Sequence, residues 1–347
     1  MKKATKAAHL HRKRVFCSIN SIRSLCQLLK ADQRQLSLMA SQPHYKTFTI
    51  PKRDGGERQI EVPGMEHKRI LARLNTYLQS VYLFEKSHAA YGFIVGVTND
   101  DDRRNVLTNA RKHAGRPHLL NVDLKDFFHS VTREQVVKIF SENPFRLKRG
   151  LPDLLADLTT YQGRLPMGAS TSPVLSNFAC RALDDDLTKL SAAMLWVYTR
   201  YADDMSFSSK QSINTEMIHS IRQIITKHHF RINEKKVHRF GPQDEKIVTG
   251  LLVTDRVTLA NGYLPQLATE IQRLKEVFWA QNEQGRLTSK WAENFKLQVR
   301  GRLNFAGFVL GRQHDAYIQM KDQYYEAIHP PEEDFNCISW RGFPYGS

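Results

Sequence analysis

At 347 residues, with 41% hydrophobic and 25% charged side chains, the chain has a globular composition and length enough for two or three substructures. No run approaches the ~18 apolar residues that would cross a bilayer, and the basic start Met1-Lys2-Lys3 has no apolar segment behind it to make a secretory signal. Fifty-one Lys and Arg against 35 Asp and Glu give a net charge of +16 and a pI near 9.7, the footprint of a polyanion partner and not of a membrane protein. The four cysteines (Cys17, Cys26, Cys180, Cys337) are scattered, which argues against a zinc module or a disulfide scaffold and predicts a reducing, cytoplasmic setting.

Residues 15–40 carry apolar side chains at helical spacing and predict one or two helices, within an N-terminal helical extension over 1–44. Tyr45 to Pro51 alternates like a strand, Asp54-Gly55-Gly56 supplies a turn, and Arg58 to Pro63 returns as a second strand. Residues 65–85 predict a helix with apolar positions at 70, 71, 74, 78 and 81. A polar stretch over 98–117 leads to the short apolar strand His118 to Leu124, which delivers Asp123 at its end. A helix over 133–141, a Pro/Gly-punctuated stretch to Gly168 and a helix over 172–189 follow. Leu195 to Ser208 predicts two strands around a Tyr201-Ala202-Asp203-Asp204 turn, and a helix over about 213–229 precedes Arg231-Ile232-Asn233. Two short strands, around 247–253 and 257–260, and helices at about 265–283 and 287–309 complete the ordered pattern; Pro330-Pro331 interrupts a last stretch without periodicity. The pattern is α+β, with strands delivering carboxylates to one edge and a helical module behind them.

Acids at a strand end and a tight turn are what two-metal phosphoryl transfer requires, because two Mg²⁺ ions held roughly 3.5–4 Å apart need a few hard oxygen ligands and leave room for phosphate and water. Asp123, Asp203 and Asp204 meet that need. The residues around them sharpen it. Asn121-Val122-Asp123-Leu124-Lys125-Asp126-Phe127-Phe128 resembles motif A of reverse transcriptases, Leu165-Pro166-Met167-Gly168-Ala169-Ser170-Thr171-Ser172-Pro173 resembles motif B, and Tyr201-Ala202-Asp203-Asp204 resembles motif C. The resemblance covers roughly residues 45–310.

It implies a right-hand polymerase: fingers over 45–118 with an insertion at 98–117, an antiparallel palm over 119–260 with part of the fingers at about 140–165, an α-helical thumb over 261–325 and a tail over 326–347. It implies that Asp123, Asp203, Asp204 and the backbone carbonyl of Leu124 hold two Mg²⁺ ions. Phe128 matches the bulky residue that excludes a 2′-hydroxyl, Met167 and Gly168 the loop beside the incoming nucleotide, and Lys52 and Arg58 the fingers cations that grip the triphosphate of a dNTP. Lys236, with Lys235 beside it as the alternative, resembles the motif D lysine that protonates the leaving pyrophosphate. Three departures stand out: Met167 where many relatives carry Gln, Ser170 where Pro is common, and Val237 where Thr is common.

Asn109-Ala110-Arg111-Lys112-His113 resembles the N-A-x-x-H element of retron reverse transcriptases, and Val248-Thr249-Gly250 resembles their V-T-G triplet. This implies that Asn109, His113, Val248, Thr249 and Gly250 help recognise a cognate structured non-coding RNA. The RNA would be copied into branched single-stranded DNA (msDNA) from an internal guanosine 2′-hydroxyl. It also implies antiphage defence in a bacterial cytoplasm, with a separate effector or toxin protein and no membrane. The alternatives are a group II intron-like or untemplated defence polymerase, or a catalytically silent RNA-binding protein on the same scaffold.

Overall fold

The computed structural model describes residues 4–51, 55–283 and 289–329. The chain divides into two units between Val257 and Thr258.

The first unit opens with three helices, α1 (Lys6–Cys17), α2 (Ile22–Leu29) and α3 (Gln33–Ser41), where the periodicity predicts one or two. Thr5, Ser21 and Asp32 each cap a helix by accepting a backbone N–H in the first turn, and these caps divide the segment. β1 (Tyr45–Pro51) and β2 (Glu57–Pro63) pair antiparallel with Tyr45 opposite Pro63. α4 (Met65–Glu85) then buries Ile70, Leu71, Leu74, Leu78 and Val81, the stripe its spacing marks out. The polar stretch that follows contains a short helix, α5 (Val106–Arg111).

β3 (His118–Asp123), α6 (Arg133–Ser141) and α7 (Leu151–Thr159) come next. α7 falls in the stretch expected to be irregular. Pro152 sits in its first turn, where a missing N–H costs nothing and the fixed φ favours helix entry. The helix expected over 172–189 is two helices, α8 (Ser172–Ala179) and α9 (Arg181–Ala193), which meet at Cys180. β4 (Val197–Tyr201), β5 (Asp204–Ser209), α10 (Thr215–Lys227), a 3-10 turn at Glu234–Lys236 and β6 (His238–Phe240) complete the central layer.

The main sheet has the order β4–β5–β3–β6 and is antiparallel throughout, with Asp123 opposite Asp204 and Tyr201 opposite Asp204. One face presents Leu120, Tyr198 and Phe207 to the core shared with α4, α8 and α9. The other face of β5 is polar, since Ser206 and Ser208 alternate with Met205 and Phe207; such alternation ordinarily marks a solvated face. Here both serines are buried. β7 (Ile247–Val248), β8 (Leu251–Val253) and α5 accompany this polar side, and β9 (Val257–Leu259) carries the chain across the division.

The second unit is helical: α11 (Tyr263–Glu283), α12 (Lys290–Leu310) and α13 (Asp315–Ile328). Leu267, Ile271, Leu274, Val299, Leu303 and Tyr324 are buried, and the Tyr263 hydroxyl donates to the Arg302 carbonyl (2.9 Å). α13 has no counterpart in the expected pattern, and the tail expected over 326–347 lies outside the described residues from 330 on. No helix among the described residues is long and apolar enough to cross a membrane.

Candidate active site

β3 ends in Asp123, and the β4–β5 hairpin turns at Ala202-Asp203, so the register alone brings three carboxylates to one end of the sheet. The Leu124 amide donates to the Asp203 carbonyl (3.1 Å), tying the two strand ends together. Ala202 holds a left-handed φ of 59°, which is costly for a residue with a Cβ and persists only where surroundings impose it. Gly92 is part of that imposition. A Cβ on Gly92 would lie 2.6 Å from the Ala202 nitrogen, so only glycine lets this segment press against the turn.

The electrostatics of the three acids are unbalanced. Asp123 is buried, and its two oxygens accept from the Lys236 amine (3.0 Å) and the Asn233 side-chain amide (3.0 Å). Asp203 is raised above the usual carboxylate range by lost hydration and then by the charge of Asp123; Lys236 and Arg58 oppose the shift. Asp204 keeps solvent exposure at the rim, yet the protein around it and the charges of Asp203 and Asp123 push it up to about 6. Lys236 is also raised: its partial burial works the other way, but the hydrogen bond to Asp123 and the charges of all three acids prevail.

A cluster of hard carboxylate oxygens that repel one another suits a hard divalent cation. Among the described residues no three acidic, His or Cys side chains form a finished cage. An open set fits Mg²⁺, which takes one or two carboxylates and completes its shell with water and substrate phosphates.

Arg58, on exposed β2, lies within electrostatic reach of Asp203; Lys52 lies outside the described residues. Lys235 is exposed, and it is Lys236 whose amine meets Asp123. Phe128 is partly buried against Phe127 and Phe93, with ring centroids 5.4 and 6.0 Å away. Met167 and Gly168 cross β2: Met167 accepts from the Glu61 amide (2.9 Å), and Gly168 adopts φ +147° where a Cβ would meet the Glu61 carbonyl at 2.5 Å.

The N-A-x-x-H and V-T-G elements, which lie far apart in the chain at Asn109 to His113 and Val248 to Gly250, meet in space behind the sheet. The Thr249 hydroxyl donates to the Val106 carbonyl (3.2 Å). His113 is 1% exposed, and its ring nitrogens meet the hydroxyls of Ser208 and Thr199, both at 2.7 Å. Burial, helped by Arg116, lowers this imidazole to about 3, so it is neutral. Asn109 and Val248 are buried as well, while Gly250 is exposed. The expectation of direct RNA contact therefore needs correcting for Asn109, His113 and Val248. Of these, His113 bonds the polar back of the sheet just after α5, where Arg111 and Lys112 are exposed.

Sequence reasoning missed a buried network beneath the turn. The Arg200 guanidinium donates twice to Asp184 (2.8 and 2.7 Å), and also to Asn177 (3.0 Å) and to the Ala202 carbonyl (3.0 Å). Tyr198 donates to the same Asp184 carboxylate (2.9 Å), and Asn177 donates to the Gly92 carbonyl (3.0 Å). It also missed Glu61, whose fully buried carboxylate takes Arg164 (3.0 Å) and the Met167 amide (3.3 Å) and so fastens the 165–168 loop to β2. An Arg directly before the Tyr-Ala-Asp-Asp run was the available signal for the first; none was available for the second.

Residues 50–253 match the family model described as reverse transcriptase (RNA-dependent DNA polymerase), more than half of the chain. The chain is 32% identical over 240 residues to the retron Mx162 reverse transcriptase of Myxococcus xanthus, covering 60% of this chain and 47% of that one. It is 27% identical over 249 residues to the retron Ec86 reverse transcriptase of Escherichia coli (71% and 75% covered) and 26% identical over 326 residues to the retron Ec48 enzyme of the same species (90% and 77%). The matched region spans about half the length of the Myxococcus relatives. The antiparallel sheet packed on helices is the palm of a right-hand polymerase, a family that works with divalent metal ions. The chain belongs to the reverse transcriptase (RNA-dependent DNA polymerase) family, and its likeness is to the retron type.

Proposed function

We propose that the chain is the RNA-directed DNA polymerase of a retron, copying part of its cognate structured non-coding RNA into single-stranded DNA from an internal guanosine 2′-hydroxyl. The observation that carries this reading is the convergence of Asp123, Asp203 and Asp204 at one sheet end, with the Lys236 amine on Asp123, inside the family-matched region.

Asp123, Asp203, Asp204 and the Leu124 carbonyl would hold two Mg²⁺ ions. When bound, these supply charge neutralisation for the attacking and leaving oxygens. Arg58, with Lys52, binds the triphosphate of the incoming dNTP, since a permanently charged fork suits phosphate. Phe128 bounds the sugar pocket and excludes a 2′-hydroxyl sterically. Met167 and Gly168 line the nucleotide site from the loop fastened to β2. Lys236, whose amine meets Asp123, would give a proton to the leaving pyrophosphate.

The polymerase partition is fingers over 45–118, palm over 119–260 and thumb over 261–325. Thr249 and Gly250, together with the α5 surface that Asn109 and His113 hold in place, face the cognate RNA; recognition reads stem-loop shape, 2′-hydroxyls and unstacked bases. The +16 charge supplies a salt-sensitive component of affinity. In a bacterial cytoplasm the RNA and its msDNA product would act with a separate effector protein in antiphage defence.

The test is to express the gene with its native flanking DNA and examine the nucleic acid that co-purifies. A discrete single-stranded DNA whose mobility changes after RNase and after 2′,5′-debranching is the expected product. DNA without a branch would refute the retron priming step and move the assignment to an intron-like or untemplated polymerase.

A further inference from the structure

At the free edge of β4, away from the carboxylates, a cleft of about 330 Å³ opens between α9 on one face of the sheet and the end of α5 on the other. That size lies at the small end of the range for ligand pockets, roughly 300–1,000 Å³. Tyr91, Arg104, Lys112, Ser191, Trp196 and Tyr198 line it.

Three observations say what chemistry it would take. The first is aromatic surface beside positive charge: Trp196 and Tyr91 form part of the wall, with the Arg104 guanidinium 4.5 Å from the Tyr91 ring. Arg104 shares the Asp102 carboxylate with Lys86 (2.6 and 2.9 Å), whereas Lys112 is exposed and makes no ion pair among the described residues. The second is the Ser191 hydroxyl, buried without a hydrogen-bond partner in a residue that is 2% exposed. The third is the strand edge itself. The Arg200 amide donates outward to Ala89 (2.7 Å), and its carbonyl accepts from Tyr91 (2.8 Å). Backbone groups two residues apart on a strand point the same way, so the N–H and C=O of Tyr198 also face out of this edge. The groups next in line to pair there are engaged otherwise: the Ser87 carbonyl accepts from the Ala90 amide (3.3 Å), and the Ala89 amide donates to the Ser87 hydroxyl (3.2 Å).

An adjacent donor and acceptor, an unpaired hydroxyl, aromatic walls and a cation at the mouth match a nucleobase with its phosphate. We propose that this cleft holds one unpaired nucleotide of an RNA, its base hydrogen-bonded to the Tyr198 backbone and the Ser191 hydroxyl and its phosphate facing Lys112. Unstacked bases are recognised this way, by aromatic contact and edge hydrogen bonds. The choice of RNA rests on the polymerase reading above. The placement explains why a buried His113 matters to an RNA user: it anchors on Thr199 of the same strand and so sets the position of Lys112.

The test uses the full chain and two synthetic RNA hairpins, one with a single nucleotide bulged from its stem and one without, with binding measured by fluorescence anisotropy. Extension of oligo(dT) on poly(rA) is measured in parallel. Ala192→Trp fills the mouth of the cleft from an exposed position on α9, and Lys112→Ala removes the cation. Wild type is expected to prefer the bulged hairpin by about tenfold or more, the scale of one base–aromatic contact. Ala192→Trp should abolish that preference at undiminished extension, and Lys112→Ala should reduce it. Equal binding of the two hairpins by wild type, or a preference that survives Ala192→Trp, would overturn the proposal and leave the edge to an extended peptide added as a strand. Absence of extension by wild type would instead refute the polymerase reading, whichever way the hairpins divide.

Discussion

The buried acid Asp184, on α9 against the sheet, and the three acids at the sheet end meet opposite fates. Asp184 is fully buried, but Arg200 grips it with two hydrogen bonds and Tyr198 adds a third. Among the described residues, Asp123, Asp203 and Asp204 share one sheet end with Lys236 and the more distant Arg58 to offset them, and Asp204 is driven up to about 6. The first group is satisfied and holds the turn; the second is left with excess negative charge. Perturbed carboxylates with too few partners are the mark of a site that awaits a ligand, and a closed bidentate pair is the mark of structure.

The comparison can be broken most severely at Arg200. Arg200→Leu leaves Asp184 buried without its cation and should lower stability by about 3–5 kcal/mol in a denaturant titration. Adding Asp184→Leu should recover a large part of that loss. Equal instability of single and double variants would mean that the pair is not the source.

A smaller effect belongs to the neutral His113. Its folded value of about 3 lies below the ordinary 6.5, so between those values the unfolded chain binds a proton that the folded chain does not. Its contribution is complete above about pH 6.5 and is lost as pH falls towards 3, at about 1.4 kcal/mol per unit. Replacing it by Gln should flatten stability measured between pH 7.5 and 5.5, and an unchanged slope would contradict the burial. Of similar size is Gly168→Ala, where the φ of +147° and the contact with Glu61 predict a loss of about 1–3 kcal/mol. Its extension rate should fall as well, because the strained loop is the one proposed to face the nucleotide site.

The acids were readable because each lies inside a contiguous run whose neighbours restrict its meaning. The β1–β2 hairpin and α4 were readable because turn residues and helical spacing are local. α7 was not: Pro152 marks both loops and helix starts, and the choice depends on burial of Leu151, Leu155 and Leu158 in a distant core. The burial of His113 was hidden for a related reason, since its partners Ser208 and Thr199 lie 95 and 86 residues away on strands whose alternation looks half-solvated. The Arg200–Asp184 pair joins a strand to a helix, so no periodicity within either element announces it.

The most direct measurement is Mg²⁺-dependent extension of a primed RNA template by wild type and by Asp203→Asn with Asp204→Asn, with melting temperatures recorded for both. The expected result is loss of extension by about a thousandfold or more, with a melting temperature equal to or above that of wild type, because two repelling charges have been removed. Extension retained in the double variant would contradict the assignment of this carboxylate cluster as the catalytic centre.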